Sequence, residues 1–124
     1  NKNFSGDITV KGKSVLTVDD NKYESINLSV SNGNTGTARL YREGKTVTIY
    51  FVALNGKSSG GNNSIILTIP EGYRPPISFE QLISSTDRST LNSAQIEIGA
   101  DGGIRWRRNA AYGSDYTFAV TYIM

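Results

Sequence analysis

Apolar and polar residues alternate with a period of two along most of this chain, the pattern of half-buried β-strands. In Glu24–Ser31 (ESINLSVS), Ile26, Leu28 and Val30 face one way, and Asn27 and Ser29 the other. Asn32–Gly36 (NGNTG) reads as a turn. Ala38–Arg42 (ARLYR) and Thr46–Leu54 (TVTIYFVAL) form two strands joined by a tight Glu43-Gly44-Lys45 hairpin turn, with glycine supplying positive φ. Val47, Ile49, Phe51 and Ala53 are predicted to share the core face of the longer strand, and Tyr50, Val52 and Leu54 a second covered face near its end. Asn55–Asn63 (NGKSSGGNN) is a flexible loop. Further strands are predicted at Ser64–Ile69, Phe79–Ile83, Ala94–Ile98, Ile104–Arg108 and Tyr116–Ile123, with a turn at Gly99–Gly103. Helical periodicity is missing throughout; Ser85–Asn92 can make one turn at most.

About eight strands at this spacing predict an all-β fold, an antiparallel barrel or a jelly-roll-like sandwich. No βαβ alternation is present. Gly99–Gly103 is followed by no helix and no Gly-Lys-Ser/Thr, so it is not a phosphate loop. Residues 1–22 differ in texture: polar, with short alternations at Ile8, Val10, Val15, Leu16 and Val18. So short a segment cannot bury enough apolar area alone, and must pack on the next domain or on copies of itself. The expected division is a segment 1–22 and a domain 23–124. The start at Asn1 rather than Met leads to the expectation of a piece of a longer protein.

All three prolines lie in Ile69–Pro76 (IPEGYRPP). Proline fixes φ and donates no backbone hydrogen bond, so this stretch is a stiff connector between two strands rather than a central strand. Its role is read as structural, not as a contact surface.

Composition narrows the chemistry. The 124 residues contain no cysteine and no histidine. That removes disulfides, thiol catalysis, cysteine-ligated metals, the usual general base and the commonest zinc ligand. The net charge of +2 names no partner by itself. No run is long enough to cross a membrane as a helix. Asp87, Glu97, Asp101 and Asp115 could supply a glycosidase pair, but turn and strand-edge positions favour plain solvated carboxylates. No cofactor is expected.

Ile104-Arg-Trp-Arg-Arg108 is the most informative stretch. In a regular strand Trp106 and Arg108 share one face with Ile104, and Arg105 and Arg107 share the other. An aromatic plane beside guanidiniums suits a saccharide: the ring stacks on C–H faces while fixed donors and acceptors bind hydroxyls. The candidate saccharide-binding set is therefore Trp106, Arg105, Arg107, Arg108, Asn109, Tyr112 and Asp115. The competing reading places Trp106 in a core or subunit interface and the arginines in ordinary ion pairs. The basic aromatic stretch is too isolated for nucleic acid.

ARLYREGKTVTIYF followed by IPEGYRPP resembles the head domain of bacteriophage tail receptor-binding proteins. Such heads carry a hairpin of the form R-x-G-x-x-V, matched by Arg42–Val47, then the motif matched by Ile69–Pro75, a G-x-I strand at Gly103-Ile104 and a closing strand at Tyr116–Tyr122. Phe4–Leu16 is similar to the short repeats of the neck that precedes them. The resemblance implies a homotrimer with a β neck over 1–22 and a receptor-binding head over 23–124. It implies a virion location at the tail tip or baseplate, other tail proteins reached through the part before Asn1, and a host cell-wall saccharide or phosphosaccharide as receptor. It implies no enzyme activity and no membrane insertion. Heads of this kind often use a histidine, which this chain lacks, and no site motif carries over to particular positions. A structural fibre or baseplate module, and a monomeric carbohydrate-binding module of a larger enzyme, stand as alternatives.

Overall fold

The computed structural model describes residues 23–86 and 89–124. Expectations for residues 1–22, including the neck, lie outside the described residues, as does the candidate carboxylate of Asp87.

Eight strands follow one another: β1 Tyr23–Leu28, β2 Thr35–Glu43, β3 Thr46–Asn55, β4 Ile65–Thr68, β5 Phe79–Ser84, β6 Ser93–Ile98, β7 Gly103–Asn109 and β8 Tyr116–Ile123. They form two four-stranded antiparallel sheets, ordered β1-β2-β3-β8 and β4-β7-β6-β5. Among the described residues there is no helix. The alternation predicted for each strand becomes the core. Leu40, Val47, Ile49, Phe51 and Val120 from the first sheet meet Ile66, Ile83, Ile96, Ile98 and Ile104 from the second. The architecture is a sandwich whose two seams are stitched. On one side Ser31 N–H donates to the Ile66 carbonyl at 2.8 Å. On the other Gln81 Nε2 donates to the Ala119 carbonyl at 3.0 Å, and Ser85 bridges to Tyr116.

The β2–β3 turn is the tight hairpin expected: Glu43 pairs with Thr46, and Gly44 takes φ 62°. One expectation for β3 fails. The register with β8 shifts between Phe51 and Leu54, and Ala53 adopts φ 55°. This extra residue reverses the phase of the strand. Ala53 is exposed, Leu54 is buried, and Tyr50 and Val52 lie open on the outer face rather than under a second layer. Gly36 permits the bulge: a Cβ there would stand 2.6 Å from the Ala53 carbonyl oxygen.

The proline loop must carry the chain from β4 to β5, the opposite edges of one sheet. That is a crossing of about 14 Å at the usual strand spacing. Pro70 to Tyr73 make a turn closed by Tyr73 N–H on the Pro70 carbonyl, with Gly72 at φ 92°. The loop is then tied to both edges of the first sheet and to itself. Tyr73 hydroxyl donates to Glu24 on β1 at 2.9 Å, Tyr122 hydroxyl on β8 donates to the Tyr73 carbonyl, and Arg74 Nε donates to the Ile69 carbonyl. Stiffness here lowers the entropy lost on closing one end of the sandwich.

Burial pushes the phenols of Tyr112, Tyr116 and Tyr122 above the ordinary value of 10.0. The folded state therefore holds protons that the unfolded chain releases. This stabilisation is complete below about pH 10 and is lost as pH rises through the folded values. Alkaline titration should show a late group of tyrosinates appearing together with loss of the β circular dichroism signal. Ionisation of all seven tyrosines before that signal changes would contradict the burial.

Candidate functional site

Placement separates the seven sequence candidates. Trp106 is fully buried, and its Nε1–H donates to Asn34 Oδ1 at 2.8 Å inside the domain. Tyr112 and Tyr116 pack edge-on against its ring at 5.6 and 5.8 Å. Gly56 lies so close that a Cβ would stand 2.9 Å from Nε1. The indole is thus a core plug that gathers three loops, and its faces are closed to a sugar. Tyr112 hydroxyl donates to Asn62 Oδ1. Asn109 Oδ1 accepts from Tyr116 hydroxyl at 2.7 Å and from Ala111 N–H at 2.8 Å. Asp115 Oδ1 accepts from Asn55 Nδ2 at 2.9 Å. These contacts hold loops together, while the buried Asn109 Nδ2 is left without a partner among the described residues.

The arginines lie on or beside the outer face of the second sheet. Arg105 pairs with Asp101 at 3.4 Å, and Arg107 reaches Glu97 at 3.6 Å and Glu80 at 3.9 Å. The Gly103 amide, and then Arg105, hold the Asp101 carboxyl below its ordinary range. Arg108 does not share the Trp106 face. The β6–β7 register pairs Gln95 with Arg108 but Ile96 with Trp106, so Arg107 is an inserted bulge residue. The bulge turns Arg108 outward, where it lines a small cleft with Gln95, Asn109 and Leu82.

The outer face of the first sheet has a different character. Cross-strand pairing lays down one row of Asn27, Arg39, Tyr50 and Ala119, and another of Ser25, Tyr41, Thr48 and Thr121. Tyr41 and Tyr50 meet edge-to-face at 5.6 Å. The Arg39 guanidinium lies 5.5 Å from the Tyr41 ring centre and donates to Ser25 Oγ at 3.2 Å. Asn27, Thr37, Arg39, Tyr41, Tyr50 and Val52 line an open groove of about 720 Å³. Tyr50 and Val52 are each half exposed, at 50% and 51%. Among the described residues, the Asn27 amide and the Tyr41 and Tyr50 hydroxyls have no hydrogen-bond partner. Aromatic faces, a guanidinium fork and uncommitted polar groups therefore converge here, the combination sought at Trp106. The signal was present in the sequence. Arg39 and Tyr41 occupy the polar phase of one strand, and the short turn places Tyr50 opposite Arg39.

No family model and no curated protein matches the chain. Solved structures do share its fold. The receptor binding protein of Listeria phage PSA matches with a TM-score of 0.62 at 16% identity, over 85% of this chain and 68% of that one. The head domain of the lactococcal phage bIL170, from a study of receptor binding domains, matches with a TM-score of 0.62 at 14% identity, over 83% of this chain and 99% of that one. The chain has the fold of these phage receptor-binding proteins.

Proposed function

We propose that residues 23–124 form the head of a phage tail receptor-binding protein that recognises a host cell-surface saccharide without catalysis. The observation that carries this reading is the fold shared with two phage receptor-binding proteins across more than four-fifths of the chain. The groove on the first sheet supplies a fitting surface: Tyr50 and Tyr41 offer rings to the C–H face of a sugar, and Arg39 and Asn27 offer hydrogen bonds to its hydroxyls. Within the original candidate set, Arg108 and Asn109 border a separate cleft, and Trp106, Tyr112 and Asp115 support the loops behind it. A non-enzymatic role agrees with the engagement of Glu97, Asp101 and Asp115 by Arg107, Arg105 and Asn55.

The protein acts in the virion, at the tail tip, as a homotrimer assembled through a neck over residues 1–22, with other tail proteins attached ahead of it. Each groove binds weakly, and three copies on one particle give avidity. Light scattering on the eluting protein should give a mass near three times the 13.5 kDa chain. Labelled protein should coat host cells and be displaced by their isolated wall polysaccharide. A monomer that still binds polysaccharide would favour a lone carbohydrate-binding module, and a trimer that never binds cells would favour a structural tail module.

A further inference from the structure

We propose that the cleft beside the β6–β7 bulge is a second binding site, for an oxyanion of the carboxylate or phosphate type. It lies on the sheet opposite the groove and rests on no part of the saccharide reading. Leu82, Gln95 and Arg108 are successive register partners across β5, β6 and β7. With Ser93, Asn109 and Ala110 they line a concavity of about 280 Å³.

Three observations point to an anion. First, Arg108 is the one described arginine with no partner. Arg39 bonds Ser25, Arg42 pairs with Glu24, Arg74 bonds the Ile69 carbonyl, and Arg105 and Arg107 pair with carboxylates. Second, the bulge is what aims it. In an unbulged strand, with Trp106 inward and Arg107 outward, alternation would turn Arg108 toward the core, the side taken by Trp106. Bulges of this kind re-aim side chains at sites. Third, its neighbours are matched. The Gln95 carboxamide and the Ser93 hydroxyl, both without side-chain partners among the described residues, add neutral donors to the guanidinium fork. No carboxylate lines the cleft. Arg presents parallel N–H groups that suit two oxygens of one anion, and such charge-assisted bonds are the strong ones. Leu82, 70% exposed, offers apolar contact to the carbon skeleton carrying the anion.

The neighbouring Arg107 provides an internal control, because its charge is already met by Glu80 and Glu97. Backbone amide NMR shifts are followed while the intact protein is titrated with inorganic phosphate, acetate, glycerol phosphate and glucuronate. Saturable shifts are expected at Ser93, Gln95, Arg108, Asn109 and Ala110. Arg108→Gln should weaken them about tenfold or more, the loss of a charged hydrogen-bonding pair. Arg107→Gln removes the same formal charge and should leave them in place. Tighter saturation by the phosphates assigns a phosphate-bearing ligand, and tighter saturation by the carboxylates an acidic one. Equal losses in the two variants, or shifts that never saturate, would overturn the proposal. Tyr50→Ala should not alter these titrations, so failure of the groove and failure of the cleft are read separately.

Discussion

Trp106→Ala should lower the stability of the domain by about 4 kcal/mol, the range for removing a large buried aromatic side chain. The indole is fully buried between the sheets and packs against Tyr112 and Tyr116. Truncation empties that space and also leaves Asn34 Oδ1, on a residue only 7% exposed, without its donor. An orphaned buried acceptor adds to the cost. Domains of this size hold roughly 5–15 kcal/mol in total, so the variant is expected to be near the edge of folding at 37 °C. The measurement is a urea melt followed by far-ultraviolet circular dichroism, with the midpoint falling and the slope preserved. Trp106→Phe fills most of the space and loses only the Asn34 bond, so it should fall by less, about 1–3 kcal/mol. It should also keep cell binding whenever it is folded. A Trp106→Ala protein as stable as the parent but unable to bind polysaccharide would return the indole to the binding surface.

The strands were legible in the sequence because alternation is a local signal. Tyr116–Ile123 shows the limit case: its predicted bounds match the structure, where the more buried and the exposed positions alternate along the whole strand. The tight Glu43–Thr46 turn was legible for the same reason, since glycine there supplies the backbone angle that a two-residue hairpin needs. The errors fall where one inserted residue reverses the alternation. At Ala53 the bulge exposes an alanine and buries Leu54. At Arg107 it separates Arg108 from Trp106. Strand periodicity assumes an unbroken ladder, and the residues that break it here, alanine and arginine, carry no bulge signature. The burial of Trp106 was hidden from the sequence for a second reason. A tryptophan among arginines looks the same in sequence whether its ring is a floor for a ligand or a post for three loops. Tertiary packing alone decides, through Asn34 and Gly56, both distant along the chain, and through the fold-back of Tyr112 from the loop that follows the strand. By contrast, the two faces of the sandwich sort themselves by charge once the sheets are known. The second sheet presents Glu80, Glu97, Arg105 and Arg107, which neutralise one another or pair with Asp101. Across the rows of the first sheet that hold Tyr41 and Tyr50, the one charged group is Arg39. Charges already paired with one another there gain little from a further partner, which sets them apart from Arg108 beside them. A weakly charged face with exposed rings gains from every ring it covers.

Tyr50→Ala should weaken binding to host cells by about tenfold per site while leaving the domain folded. The ring is half exposed and contributes to the fold mainly through its edge contact with Tyr41, so the stability loss should stay within about 1 kcal/mol. Stacking of an aromatic face on a sugar contributes roughly the same order as other aromatic contacts, about 1–1.5 kcal/mol, or near tenfold in affinity. If three grooves engage one cell surface together, the per-site losses compound, and the trimer loses up to on the order of a thousandfold. Tyr41→Ala should behave similarly, and the double variant should fall short of the product of the single losses, because the two rings brace each other at 5.6 Å. Cell binding by flow cytometry, with polysaccharide affinity by calorimetry, reads the loss, and light scattering on the same samples reads the assembly. Reduced binding with an unchanged mass assigns the groove to the receptor. A mass that falls to a single chain assigns Tyr50 and Val52 to the contact between copies and moves the receptor surface elsewhere. Unchanged binding and unchanged mass would remove the groove from both roles.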